Sequence, residues 1–161
     1  MAGSGDAVGQ TEPMRVYLGA TLDDLDSSDG LTARPARAVT DSLRQALGAD
    51  ADEEMAEYAA LVLAAEDSLR LLADGAPLRR VVAAADVPDT AATPGEELAR
   101  VHVPDLAWTD VVSFHVDSGE ANVRDLLERA VAGEAQAIGA VGEEDLLWYD
   151  VTERGTLLGE R

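Results

Sequence analysis

The chain has 161 residues, enough for one domain that buries roughly two thirds of its unfolded surface, and it contains no cysteine, which excludes disulfides, thiolate zinc sites and cysteine nucleophiles. A formal net charge of −20 and a sequence pI near 4.1 work against gripping a phosphate backbone or an anionic membrane surface and favour cationic partners. All twelve cationic side chains are arginine; with the abundant alanine this is the bias of GC-rich codons, a salt-adapted acidic surface being the competing explanation.

In chain order, residues 1–13, MAGSGDAVGQTEP, are small, polar and glycine-rich and read as a disordered tail. MRVYLGAT follows with a second methionine and strand alternation, Val16 and Leu18 on one side and Arg15 and Tyr17 on the other. Met14 is therefore a candidate translation start, and residues 14–161 read as a single domain. Thr21, with Asp24 three residues on, signals a capped short helix at LDDL that ends at Gly30. PARAV opens on Pro35 and reads as extended, with a helix from Pro35 as the alternative. Thr40 caps DSLRQAL and Gly48 closes it.

Residues 51–74 carry a sustained helical period. Met55, Tyr58, Val62, Ala65, Leu69 and Leu72 recur at spacings of three and four, Asp50 with Glu53 marks a start, and Gly75 with Pro77 marks a stop. This predicts a long amphipathic helix lying on a sheet by that face. RRVVAAADV, 79–87, is a continuous apolar run suited to a central strand covered on both sides. A loop over 88–97 leads to two strands, ELARVHV and DVVSFHV. Then come a helix over about 120–132 with Val123, Leu126, Leu127, Ala130 and Val131 inward, a helical turn over 135–141, and a last strand, LLWYDVT. The order predicts an α+β fold: one two-layer domain, a mixed sheet of four to five strands with helices mainly on one face. The N-terminus lacks a basic and apolar leader and no run of about 18 apolar residues occurs, so the expected location is cytoplasmic.

The succession MRVYLGATLDDL, AVTDSLRQAL, EYAALVLAAEDSLRLL, RRVVAAADVPD, FHVDS and DLLWYDVTE resembles a family of small actinobacterial proteins known only as a domain of unknown function. The resemblance covers the chain after residue 13 and implies a single domain beginning at Met14. It implies no chemistry, and His102 lies outside the shared pattern.

Four constellations bear on function. If residues 107–110 form a hairpin loop, His102 faces His115 and Asp117 supplies a third metal ligand, but Pro104 interrupts that ladder and two histidines on a wetter strand face are the plainer alternative. Asp86, Asp117, Asp150 and Glu153 could gather at one sheet edge around magnesium if their strands run parallel; otherwise they serve turns and caps. Ser113 and His115 are about 6.5 Å apart along a strand, beyond hydrogen-bond reach, and no nucleophile elbow or phosphate-binding glycine loop is present. In LLWYDVTE one of Trp148 and Tyr149 must face away from the other, so Trp148 either joins Arg15, Tyr17 and Glu153 in a pocket or partner surface or packs beneath TLLGE near the C-terminus.

The sequence thus reads as a non-catalytic, cytoplasmic, acidic interaction module acting through a protein partner or a homo-oligomer. The alternative is a small-molecule enzyme or ligand-binding protein using strand-end carboxylates and His115. The candidate polar face comprises His115, Asp117, Arg15, Tyr17, Trp148, Asp150 and Glu153; no cofactor, metal, nucleic acid or membrane is assigned. A deep pocket lined by His115, Asp117 and Glu153 would favour the alternative, and a flat face there the module.

Overall fold

The computed structural model describes residues 12–73 and 75–161, so the expected tail lies outside the described residues as far as residue 11. Among the described residues seven strands form one antiparallel sheet: β1 (Pro13–Ala20), β2 (Arg34–Ala38), β3 (Val81–Pro88), β4 (Thr93–Pro94), β5 (Arg100–Val103), β6 (Val111–Val116) and β7 (Leu147–Asp150). Their order across the sheet is β4-β5-β2-β1-β3-β6-β7. The α+β class stands, but the expected mixed sheet of four to five strands does not: every pairing is antiparallel. The two strands beyond the expectation are β2, where Pro35 suppresses the strand signal, and β4, only two residues long inside the loop 88–97.

Thr40 caps α1 (Asp41–Leu47) through the Leu43 amide, and Gly48 follows with the positive φ of 92° that favours glycine. The helix α2 (Glu53–Leu72) is capped by Asp52, which accepts from the Met55 amide, rather than by Asp50. It lies on β1, β2 and β3 by a face turned from the predicted one: Ala65 and Leu72 of that prediction are buried and Val62 and Leu69 half-buried. Met55 and Tyr58 are 55% and 60% exposed, whereas Ala56, Ala60, Ala64 and Ser68 are buried. Backbone proximity selects the alanine stripe: a Cβ on Gly19 of β1 would stand 2.8 Å from the Ser68 nitrogen and 2.9 Å from the Ala64 carbonyl oxygen. Only small residues permit so close a helix, and Ser68 completes the contact by donating to the Ala20 carbonyl and accepting from the Val81 amide.

The opposite face carries the larger core, with Val16, Leu18, Ala36, Val81, Ala83, Val101, Val103, Phe114 and Val116. Leu22, Leu25, Leu31 and Leu106 cover it together with Leu157 of α5 (Arg154–Leu158). At its margin Trp108 meets Phe114 edge-on at 6.0 Å between ring centroids and carries the Arg154 guanidinium 4.5 Å from its own centroid. Thr21 and Asp24 exchange the reciprocal bonds expected of a capping box, fixing the turn that presents Leu22 and Leu25. The remaining helices, α3 (Ala121–Val131) and α4 (Ala135–Gly142), bury Val123, Leu127, Ala130, Ala137 and Val141 around Leu72 at the end of α2.

Candidate functional site

Alternation places Arg15, Tyr17, His115, Trp148 and Asp150 on the sheet face that α2 partly covers. Tyr17 lies in register with Ala84, Ala84 with Ser113, and Ser113 with Asp150; beside that row, Val82 aligns with His115 and His115 with Trp148. Arg15 donates to Asp86 at 2.6 and 3.2 Å, and Tyr17 donates to Glu57 of α2 at 3.5 Å. Burial, with the Glu57 charge beside it, pushes the Tyr17 hydroxyl up to about 12, and burial, assisted by Arg15, lowers the half-buried His115 imidazole. Both rings are therefore neutral at pH 7. Asp150 accepts from the Thr152 amide and hydroxyl, which hold its carboxyl below the usual range.

Asp117 does not join this face as a free ligand. It lies just past β6, fully buried, where its carboxylate accepts from the Arg80 amide at 2.8 Å and from two Arg80 guanidinium nitrogens at 2.9 and 2.8 Å. Arg79 donates to its carbonyl. The pair clips the start of β3 to the end of β6. Glu153 is also displaced, exposed in the turn that leads into α5, whose Leu157 belongs to the opposite core. The same segment disposes of Trp148 packing beneath TLLGE.

The histidine hairpin is overturned too. β5 pairs with β2 and β6 with β3, so His102 and His115 are separated by the three strands β2, β1 and β3. Antiparallel pairing likewise scatters the strand-end acids: Asp86 and Asp150 stand at one end of the sheet and Asp117 at the other. Among the described residues no three His, Asp or Glu side chains converge as metal ligands.

Two other features stand out. One is a cavity of about 560 Å³ under the C-terminal half of α2, lined by Gly19, Arg34, Pro35, Asp67, Arg70 and Arg100 among others. Pro35 creates it. The β1–β2 pairs Val16 with Ala38 and Tyr17 with Arg37 would, if continued, set Pro35 opposite Gly19; proline has no N–H to give, and pairing stops. Arg34 substitutes by donating to the Gly19 carbonyl at 3.1 Å. Gly19, Arg34 and Pro35 all line the cavity.

The second feature is the sheet's edges. On one side β4 is two residues long and ends in Pro94, which blunts it. On the other, β7 has no strand partner on its outer side among the described residues and exposes Leu147 and Trp148, 46% and 61% accessible. Tyr149 instead packs against the large core. Exposed acids flank the strand: Glu143 and Asp145 before it and Glu153 after it.

A family model matches residues 14–158. The chain belongs to a family of unknown function, DUF6912. Comparison with curated proteins and with solved structures gives no match. No helix among the described residues of this DUF6912 member is long and apolar enough to cross a membrane.

Sequence reasoning missed the residues of the cavity, although one signal was present. Arg37 and Arg100, both bonded to the lining residue Asp67, are buried strand residues, where a charge demands a partner. It likewise read Arg79 and Arg80 as the start of an apolar strand without seeking the acid they hold.

Proposed function

We propose that this protein is a non-catalytic binding module whose β7 edge accepts an extended, basic segment of a partner protein as an added strand. The observation that carries this reading is the contrast between the two sheet edges: β4 is short and proline-blocked, whereas β7 offers open backbone groups with Leu147 and Trp148 exposed beside them. A partner strand would gain main-chain hydrogen bonds along β7 and bury Trp148 on the face it shares with His115. The acids at 143, 145 and 153, on a chain of net charge −20, select the sign of the partner. They also repel a second copy of the same edge, so the reading is hetero-association rather than β7-to-β7 pairing. Localisation in the cytoplasm, where basic protein segments abound, belongs to the same proposal.

The enzyme alternative loses its geometry, since it required His115, Asp117 and Glu153 around one pocket. Asp117 is committed to Arg80, and Glu153 stands in the turn toward the opposite face. The test is a titration with a synthetic peptide of alternating arginine and valine, followed by tryptophan fluorescence in a Trp108→Phe background so that Trp148 reports alone. The expected result is a saturable blue shift that weakens with added salt, together with a binding heat by calorimetry that is lost in Leu147→Ser/Trp148→Ser. Unchanged affinity in that double variant contradicts the reading.

A further inference from the structure

The helix α2 is apolar on more than the stripe it lays on the sheet. Its alanines meet β1, β2 and β3, while a second stripe at helical spacing, from Tyr58 through Leu61, Val62 and Leu69 to Ala73, lines an open flank about 22 Å long. Two cavities lie along that flank. One of about 170 Å³ is bounded on its far side by Glu144, Asp145 and Leu146, and one of about 530 Å³ by Val131, Ile138 and Gly139. Glu66, Arg80 and Gly142 line both, so the two form one groove between α2 and the α3–α4 pair. Its apolar walls are accessible: Tyr58 and Ile138 are 60% and 44% exposed, and Leu61, Val62, Leu69 and Val131 are half-buried. A Cβ at Gly139 or Gly142 would meet nothing within 4 Å, so the α4 wall leaves space there. The charges divide in one sense. Arg80 is held by the buried Asp117, and Arg70 is bonded to Asp67. Glu66, Glu144 and Asp145 have no cation within ion-pair distance among the described residues.

We infer that this groove docks an amphipathic, cationic α-helix of a partner protein. The apolar side of such a helix covers Tyr58, Val62, Leu69 and Ile138, and its basic residues meet Glu66, Glu144 and Asp145, the carboxylates that the chain itself leaves unpaired. A helix fits better than a strand because the long walls are themselves helices, whose backbone groups are spent within each helix and leave none to pair with an extended chain. A second copy of the chain is the wrong occupant, since it brings acid against acid on a molecule of net charge −20. The groove ends where β7 begins, and a helix seated in it needs no strand pairing, so this inference and the β7 proposal stand or fall separately.

The experiment is an NMR titration of the whole chain with a blocked peptide of leucine and lysine, about 16 residues long to match the groove, with its leucines at spacings of three and four. A peptide with glutamate in place of lysine is the comparison. The lysine peptide is expected to give saturable shifts at the Val62, Leu69 and Ile138 amides while those of Tyr149 and Asp150 in β7 stay in place. Tyr58→Ser/Ile138→Ser, two exposed positions, should weaken binding about tenfold, and Glu66→Gln/Glu144→Gln should weaken it about as much at low salt. Gly139→Leu, which fills the groove from a position with free space, should weaken it without lowering the thermal midpoint. Shifts confined to β7, equal binding of the glutamate peptide, or unchanged affinity in the Tyr58/Ile138 variant or in Gly139→Leu overturns the inference. So does self-association of the wild-type chain in sedimentation that the Tyr58/Ile138 variant abolishes, which would make a second copy the occupant.

Discussion

Arg80 and Asp117 show how one residue pair can mislead a search for chemistry. A histidine followed two residues later by an aspartate invites a ligand reading, yet the aspartate accepts three hydrogen bonds from one arginine and meets no solvent. Asp117→Ala strands the Arg80 cation in the interior and should cost about 3–5 kcal/mol, whereas replacing both with apolar residues of similar volume should restore most of it. Urea denaturation of the single and double variants checks this, and equal losses in both would contradict a purely structural role. His115 permits a second prediction. Its folded-state pKa is lowered from 6.5 by burial and by Arg15. The unfolded chain therefore takes up a proton first as pH falls, and stability drops between pH 6.5 and the lower folded value while staying level above. Arg15→Gln should move the His115 titration upward in an NMR pH series; an unmoved midpoint would remove Arg15 as a cause.

At the level of elements, what local sequence can encode was legible. Thr40 and Gly48 bound α1, Thr21 and Asp24 form their box, and the period in residues 120–132 buries Val123, Leu127 and Ala130 as expected. What local sequence cannot encode is pairing between distant strands. β5 and β6 are close in the chain with Pro104 between them, and a hairpin was the economical guess; the sheet inserts three strands there instead. Nor does periodicity decide which of two apolar helix faces turns inward. Gly19 decides it, because its missing side chain admits the backbone of α2. Gly19→Ala should lift that helix and cost about 1–3 kcal/mol. By contrast Gly139→Ala in α4, where a Cβ meets nothing within 4 Å, should gain about 0.5–1 kcal/mol. Thermal unfolding of the two variants measures both, and a neutral Gly19→Ala would contradict the close-packing account.

For the molecule as a whole, charge and topology act together. The net charge of −20 is evident from composition, and it would favour cationic partners without indicating where they would bind. In the proposed reading topology would supply the place, by leaving β7 last in the sheet among the described residues, and it also sets Arg34, Arg70 and Arg100, from three separate elements, around a cavity that composition would never suggest. The candidate face was legible only in part. Alternation groups Arg15 with Tyr17 and Trp148 with Asp150, but whether the two groups share a face depends on the pairing of β1 with β3, β3 with β6 and β6 with β7, between residues distant in the chain. The most direct measurement of the central claim is amide hydrogen exchange on the intact chain with and without the alternating arginine and valine peptide. Binding at the edge predicts new protection at the β7 amides that point away from β6, with the β4 edge unchanged. Protection spread evenly over the acidic surface, or none at β7, would contradict it.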